Sequence, residues 1–269
     1  MNYSDFQFLL FDRKPDGVLV ITLNRPEVMN ATNARLHWEL TKIWAVVQDD
    51  PMVKVIIVTG AGDRAFSAGG DLAWVEEMVG NHEAVAVVMK EASEIVYNML
   101  ACEKPIISAI NGTAVGAGLA VALLADVSVM AKEARFTDGH VKLGVGAGDH
   151  ATIVWPLLCG MAKAKYYLMT ADFVDGPEAE RLGLVTFCVP RAELMTKALA
   201  IANTLARGSQ TAIKATKKSL NNWMRMAGPI FDNSLALEML GFLGADAREG
   251  LDAVRNKRAA DFPSARLPG

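Results

Sequence analysis

Apolar residues in this chain follow two rhythms that alternate. Val18-Leu19-Val20-Ile21-Thr22-Leu23 is an unbroken, largely β-branched run, the pattern of a strand buried on both faces. Asn24-Arg25-Pro26 closes it, because proline has no amide hydrogen for a ladder. The spacing then becomes helical. Leu36, Leu40, Ile43, Trp44 and Val47 share one face of a segment that Thr32 caps and that runs to about residue 49. Asp50-Pro51 ends that helix, and a strand at 53–59 follows. A helix at about 81–101 carries Val85, Val88, Met89, Ala92, Ile95, Val96 and Met99 on one side. Lys104-Pro105 leads into a strand at 106–110, a helix begins near 117, and 126–130 reads as another strand.

Strands that alternate with helices imply parallel pairing and right-handed crossovers, so the fold class is α/β. From about Arg191 onward the pattern turns helical, with segments near 195–205, 211–223, 229–243 and 248–258. The division expected is a β/α core over 1–195 and a helical region over 196–269. No Pro/Gly/Ser-rich linker or solenoid-length repeat interrupts it.

Composition narrows the classes. The chain has 269 residues, 52% of them apolar, and a net charge of −3, enough for one large core. Weak acidity argues against a nucleic-acid partner, which selects a basic stripe. No apolar run is long enough to span a bilayer, and Met1-Asn2-Tyr3-Ser4-Asp5 lacks the basic and apolar regions of a signal peptide. Cys102, Cys159 and Cys188 are scattered, without Cys-x-x-Cys or zinc spacing, so they read as reduced, buried thiols. A cytoplasmic, metal-free protein is the expectation. Met78, Met89, Met99, Met161 and Met169 read as core fillers.

Two glycine- and alanine-rich turns carry the candidate chemistry. Phe66-Ser67-Ala68-Gly69-Gly70-Asp71-Leu72 follows the strand at 53–59, and Asn111-Gly112-Thr113-Ala114-Val115-Gly116-Ala117-Gly118 follows the one at 106–110. Small residues let backbone N–H groups approach a ligand closely, and two such donors aimed at one oxygen stabilise negative charge that develops there. The plain alternative is a pair of tight turns. Gly144-Val145-Gly146-Ala147-Gly148 is not a dinucleotide loop, since it lacks a preceding β run and a partnering acid about 20 residues on. Gly112 to Gly118 is not a phosphate loop, because no Gly-Lys-Ser/Thr follows.

In these marks the chain resembles the crotonase family, also called the enoyl-CoA hydratase/isomerase family. Besides the two turns, the resemblance rests on Leu23 to Pro26 with Met29-Asn30-Ala31, on Lys104 to Gly112, on Asp126, Ala134-Arg135-Phe136, Gly183-Leu184-Val185 and Glu249-Gly250. It implies a β/α spiral core, a helical C-terminal region that builds homotrimers or hexamers, and backbone amides of Ala68 and Ala117 that hold a thioester enolate. It also implies that the glycines at 144–148 line the acyl pocket. Coenzyme A would enter as part of a small-molecule substrate, with no tightly bound cofactor. Val28, Ala68, Gly70, Asp71, Leu72 and Lys257 match its contacts, with Arg258 beside Lys257. Lys257 and Arg258 read otherwise as a solvated basic helix face. Asp71 either meets the adenine or caps the next helix.

The chain departs from the hydratase pattern at the two positions where a glutamate is expected. Ala120 occupies one and His140 the other. His140 therefore becomes the acid/base candidate, with Asp149 nine residues later to orient it, an arrangement similar to the β-diketone hydrolase branch. Alternatively His140 is a satisfied structural residue and Asp149 a helix cap. His150 reads as a surface residue opening a helix, and His37 and His82 as surface or interface residues. Glu76 and Glu77 lie near the first turn and read as solvated. Three functions remain open: acyl-CoA hydration or isomerisation with His140 and Asp149; C–C bond hydrolysis of a β-diketone or ring β-keto-acyl-CoA; and an inactive CoA-binding subunit.

Overall fold

The computed structural model describes residues 1–267. Strand β1 (Leu9–Lys14) pairs antiparallel with β2 (Val18–Leu23). Helix α1 (Ala34–Asp49) crosses over to β3 (Val55–Gly60), which lies parallel to β2. Asn33, not Thr32, caps α1, accepting from the Leu36 amide; Thr32 lies one residue too early and pairs instead with Gly70 in a bridge.

After β3 the chain takes a step that recurs. β3 breaks beyond Gly60 and resumes as β4 (Ala65–Ser67). β5 (Ile106–Ile110) resumes as β6 (Thr113–Val115), and β7 (Val127–Ala131) as β8 (Arg135–Thr137). The short pieces, with β9 (Val174–Asp175), form a four-stranded sheet in the order β4-β6-β8-β9. The long pieces, with β10 (Phe187–Val189), form a six-stranded sheet in the order β1-β2-β3-β5-β7-β10. Each spiral turn thus gives one strand to each sheet.

The step needs two close backbone approaches. A Cβ on Gly112 would lie 2.5 Å from the Arg64 carbonyl carbon, and one on Gly60 would lie 2.4 Å from the Ala65 oxygen. Two asparagines tie the step down. Asn111 accepts from the Gly60 amide at 3.1 Å and donates to the Gly60 and Gly62 carbonyls. Asn30 donates to the Ala61 and Ala65 carbonyls at 2.9 Å each. These side chains stand in for ladder partners that the broken strand lacks.

Helices α2 (Leu72–Met78) and α3 (His82–Ala101) follow β4, and α4 (Gly116–Leu123) follows β6. Further on come α5 (Ala151–Cys159), α6 (Met161–Thr170) and α7 (Gly176–Leu182). The C-terminal helices are α8 (Leu194–Arg207), α9 (Gln210–Met226), α10 (Gly228–Gly241) and α11 (Ala245–Arg255). The expected boundary at 195/196 falls inside α8, which packs on β3, β5 and β7 and buries Ala198, Ala202 and Ala206 in the same core as the strands. Met78 and Met99 fill that core, whereas Met89, Met161 and Met169 are exposed on helix surfaces. All three cysteines are free, and only Cys102 is fully buried. Among the described residues no helix is long and apolar enough to cross a membrane.

Replacing Gly112 with alanine drives a methyl group into the Arg64–Ala65 backbone. The expected loss is about 3 kcal/mol of stability, read as a lower denaturant midpoint with unchanged slope.

Candidate active site

Parallel strands β4, β6 and β8 lie side by side, so the segments leaving their C-terminal ends converge. β4 feeds the turn Ala68 to Asp71, β6 feeds Gly116-Ala117, and β8 feeds Asp138-Gly139-His140. The turns touch. A Cβ on Gly69 would sit 3.3 Å from the Val115 side chain, and one on Gly139 would sit 3.0 Å from it. Positive φ at Gly69, Gly116 and Gly139 lets each chain turn this sharply.

A cavity of about 260 Å³ opens at this junction. Val88, Ala92, Ile95 and Val96 of α3, with Met239 and Phe242 near the end of α10, give it an apolar wall. Gly70, Ala117, Ala120, His140, Asp149 and Glu238 bring the polar atoms and their surroundings to the other side.

The expected amide pair requires a correction. The Ala68 amide donates to the Met29 carbonyl at 3.0 Å and is spent within the fold. Two residues on, the Gly70 amide has no hydrogen-bond partner among the described residues, although Thr32 ties the Gly69 carbonyl and the Asp71 amide on either side of it. The Ala117 amide, second in α4, is also unpaired, as the first amides of a helix are by construction. Gly70 and Ala117 both line the cavity.

The expected dyad is also rearranged. Asp138, rather than Asp149, holds His140, with Oδ1 2.8 Å from Nδ1. The Nε2 atom of His140 lies 3.4 Å from Glu238 Oε1 and 3.9 Å from Asp149 Oδ2. Asp149 binds His150 Nδ1 at 2.5 Å through its other oxygen. His150 is fully buried, not a surface residue, and Asp149 caps no helix, since α5 begins without a side-chain cap.

Asp138, His140, Asp149 and Glu238 are all buried. Burial alone would lower the His140 pKa, but the charges of Asp138, Glu238 and Asp149 outweigh it and hold the imidazole well above its ordinary value. Burial pushes Glu238 up to about 8, His140 opposes that, and Asp149 and Asp138 add to it. Asp149 resists the upward push of burial because His150 and His140 draw it down to about 2. The cluster thus holds an ionised carboxylate, a proton-loving imidazole and a carboxyl poised to stay protonated near neutrality. Atoms of Asp138, His140 and Asp149 lie close enough to share a cation, but a proton meets the same demand.

Other expected sites fall differently. The glycines at 144–148 do not line the cavity; Gly144 and Gly148 let helices press close, whereas a Cβ on Gly146 would meet nothing within 4 Å. A Cβ on Gly148 would meet the Ser234 carbonyl at 2.3 Å, and one on Gly144 the Asp246 carbonyl at 2.4 Å. That contact brings α10, and Glu238 with it, against His140. Asp71 caps α2 through Ala73 and pairs with Arg25 at 3.1 Å. Glu76 and Glu77 are exposed and outside the cavity, and His82 is exposed. Val28 and Lys257 are exposed, and Lys257 forms no ion pair among the described residues, while Arg258 binds Glu249 and Asp252. His37, expected at a surface, is buried in the cavity wall against Trp74.

Two residues escaped the sequence reading. Glu238 occupies the buried stripe Phe231, Ser234, Leu235, Glu238, Met239 of α10, and an acid at such a position is a legible signal. Asp138 stands two residues before His140, within reach of its ring.

The sequence profile described as Enoyl-CoA hydratase/isomerase matches residues 13–265. Crotonyl-CoA hydratase of Syntrophomonas wolfei is 34% identical over 259 residues, which cover 93% of this chain and 96% of that one. Short-chain-enoyl-CoA hydratase of Clostridium acetobutylicum is 33% identical, covering 91% and 94%. The crystal structure of an enoyl-CoA hydratase/isomerase from Mycobacterium paratuberculosis superposes with a TM-score of 0.87 at 32% identity, covering 92% and 99%. A beta-diketone hydrolase from the cyanobacterium Anabaena sp. PCC 7120, bound to (S)-3-oxocyclohexyl acetic acid, gives 0.83 at 27%, covering 90% and 96%.

The shifted groups set a pH dependence of stability. Glu238 and His140 hold protons in the folded state that the unfolded chain releases at lower pH, so their contribution falls as pH rises. For Glu238 the window runs from its ordinary value of 4.5 to about 8. Asp149 works oppositely, and its contribution is lost as pH falls from its ordinary value of 3.8 towards about 2. Replacing Glu238 with glutamine should therefore flatten the decline of the denaturant midpoint between about pH 5 and 8.5. An equal slope in both proteins would reject a raised Glu238.

Proposed function

The chain belongs to the enoyl-CoA hydratase/isomerase family and is an enzyme of it, and on that premise we propose that it adds water to an enoyl-CoA, or moves its double bond, through a thioester enolate. The observation that carries the proposal is the placement of His140 between Asp149 and Glu238, in a cavity that also holds the two unpaired amides.

The amides of Gly70 and Ala117 would receive the thioester oxygen, and the start of α4 adds favourable potential for negative charge. Each such donor is worth about 3 kcal/mol of barrier. The ionised Asp149 takes a proton from water as its oxygen attacks the β-carbon. The enolate then takes a proton at the α-carbon from Glu238. His140 returns the proton from Asp149 to Glu238 through Nε2, steadied by Asp138 at Nδ1. Ala120 has only a methyl group to offer, so acid and base both come from the His140 side.

A second hollow beside the cavity shares Lys142 and Val254 with it and adds Arg258, which supports the approach of a long anionic substrate such as coenzyme A. Val28, Leu72 and Lys257 remain candidate contacts along that route. The exposed apolar side chains Leu220, Trp223 and Met226 of α9, with Ile230, Leu237 and Leu240 of α10, support assembly into trimers or hexamers.

A second reading is C–C bond hydrolysis, favoured by Ala120 and by the likeness to the beta-diketone hydrolase. There the activated water attacks a carbonyl, the C–C bond breaks, the leaving enolate settles on the two amides, and Glu238 protonates its carbon.

Two assays separate the readings. Turnover of crotonyl-CoA supports hydration, whereas turnover of a cyclic 1,3-diketone alone supports C–C hydrolysis. On whichever substrate turns over, Asp149→Asn should lower kcat roughly 10²- to 10⁴-fold with the fold unchanged. A loss under threefold would remove Asp149 from the mechanism.

A further inference from the structure

His37 is a polar group on a wall that is otherwise apolar. It lies on α1 and is almost wholly buried. Its ring packs against Trp74 at 5.0 Å between centroids, tilted by 47°, and Nδ1 lies 2.7 Å from Glu91 Oε2. Glu91 comes from α3, the helix that also supplies Val88, Ala92 and Ile95 to the cavity. Three helices therefore fix one imidazole at the edge of the site.

The Glu91 carboxylate can only accept, so Nδ1 carries a hydrogen. The tautomer is thereby set, and Nε2 is left to the cavity. That nitrogen has no protein partner among the described residues, although His37 lines the space. A structural histidine buried to this degree normally has both nitrogens satisfied by the protein. His37 and Asp149 both line this cavity. Neither the proton relay through His140 nor the amide pair uses His37.

Resting on the acyl-CoA reading above, we propose that His37 is a specificity-determining residue whose Nε2 hydrogen-bonds a second oxygen on the acyl group, beyond the thioester carbonyl. The substrates are then acyl groups that carry a hydroxyl able to donate to that nitrogen, rather than plain alkyl chains. An apolar wall by itself separates chains by little per methylene, whereas a buried group that must be paired rejects a ligand without the matching atom. Glu91 positions the ring, and Nε2, which carries no hydrogen in this tautomer, accepts from a ligand hydroxyl.

A matched pair of unreactive ligands tests this without relying on turnover: hexanoyl-CoA and 5-hydroxyhexanoyl-CoA, titrated calorimetrically. Wild-type protein should bind the hydroxy ligand roughly 10- to 100-fold more tightly. His37→Phe keeps a planar ring and should bring the ratio to about one by weakening only the hydroxy ligand, and His37→Gln, which can still accept through Oε1, should restore part of the preference. A ratio near one in the wild type, or equal weakening of both ligands in His37→Phe, overturns the role of His37. Failure of the wild type to bind either ligand instead overturns the acyl-CoA reading on which the role rests.

Discussion

Three buried carboxylates surround one imidazole, and they cannot all be ionised together in a low-dielectric pocket. Asp138, Asp149 and Glu238 bring like charges within a few ångströms of His140, and solvent does little to screen them. Such a cluster must keep protons. Asp149 has His150 as a private partner and stays ionised, whereas Glu238 has none of comparable strength and stays protonated furthest into the neutral range. The two opposite protonation tendencies are thus set by who neighbours whom, without any difference in side-chain chemistry between the two carboxyls.

The fold bears the cost of bringing these groups together. Glu238 reaches His140 because α10 lies against the loop at 144–150, and the contact is close enough that Gly148 has no room for a side chain. Ser234, one turn before Glu238, donates to the Gly148 carbonyl at 3.0 Å and accepts from Thr152 at 2.8 Å, which fixes the helix in register with α5. Gly250 of α11 makes an equally close approach to Leu143. Gly144 and Gly148 therefore serve helix packing, and the cluster at His140 benefits indirectly. A histidine at the end of β8 would be poorly oriented without these approaches.

The long elements could be read from the sequence because their periodicity extends over enough residues to be unambiguous. The strand at 18–23 and the helices on α1, α3 and α8 are of this kind. The three-residue strands β4, β6 and β8 could not be read that way, since three residues establish no period, yet they align the catalytic turns. The first amide donor was misplaced by two residues for a related reason. Which N–H of a small-residue turn is free depends on a distant carbonyl, here that of Met29, and the turn's own composition does not reveal it. His140 was legible through resemblance, but Asp138, two residues before it, was passed over, and the cluster closes only with Glu238 from a helix near the other end of the chain.

Placing all proton-handling groups on one side has a chemical consequence. Two glutamates on separate walls can hold a water between them and act on it from both directions. Here the wall at Ala120 is inert, and the opposite groups form one connected network centred on His140 Nε2. In the proposed function such a network removes a proton and returns one on the same face of a substrate, and the amides of Gly70 and Ala117 would receive the charge in the interval. Hydration and C–C hydrolysis both meet this requirement, because each forms an enolate that is protonated where the water was activated. In the two proposed reactions what separates them is which carbon the water reaches, and that would follow from how the acyl group lies against the cavity wall formed by α3 and His37, not from the acid/base cluster itself.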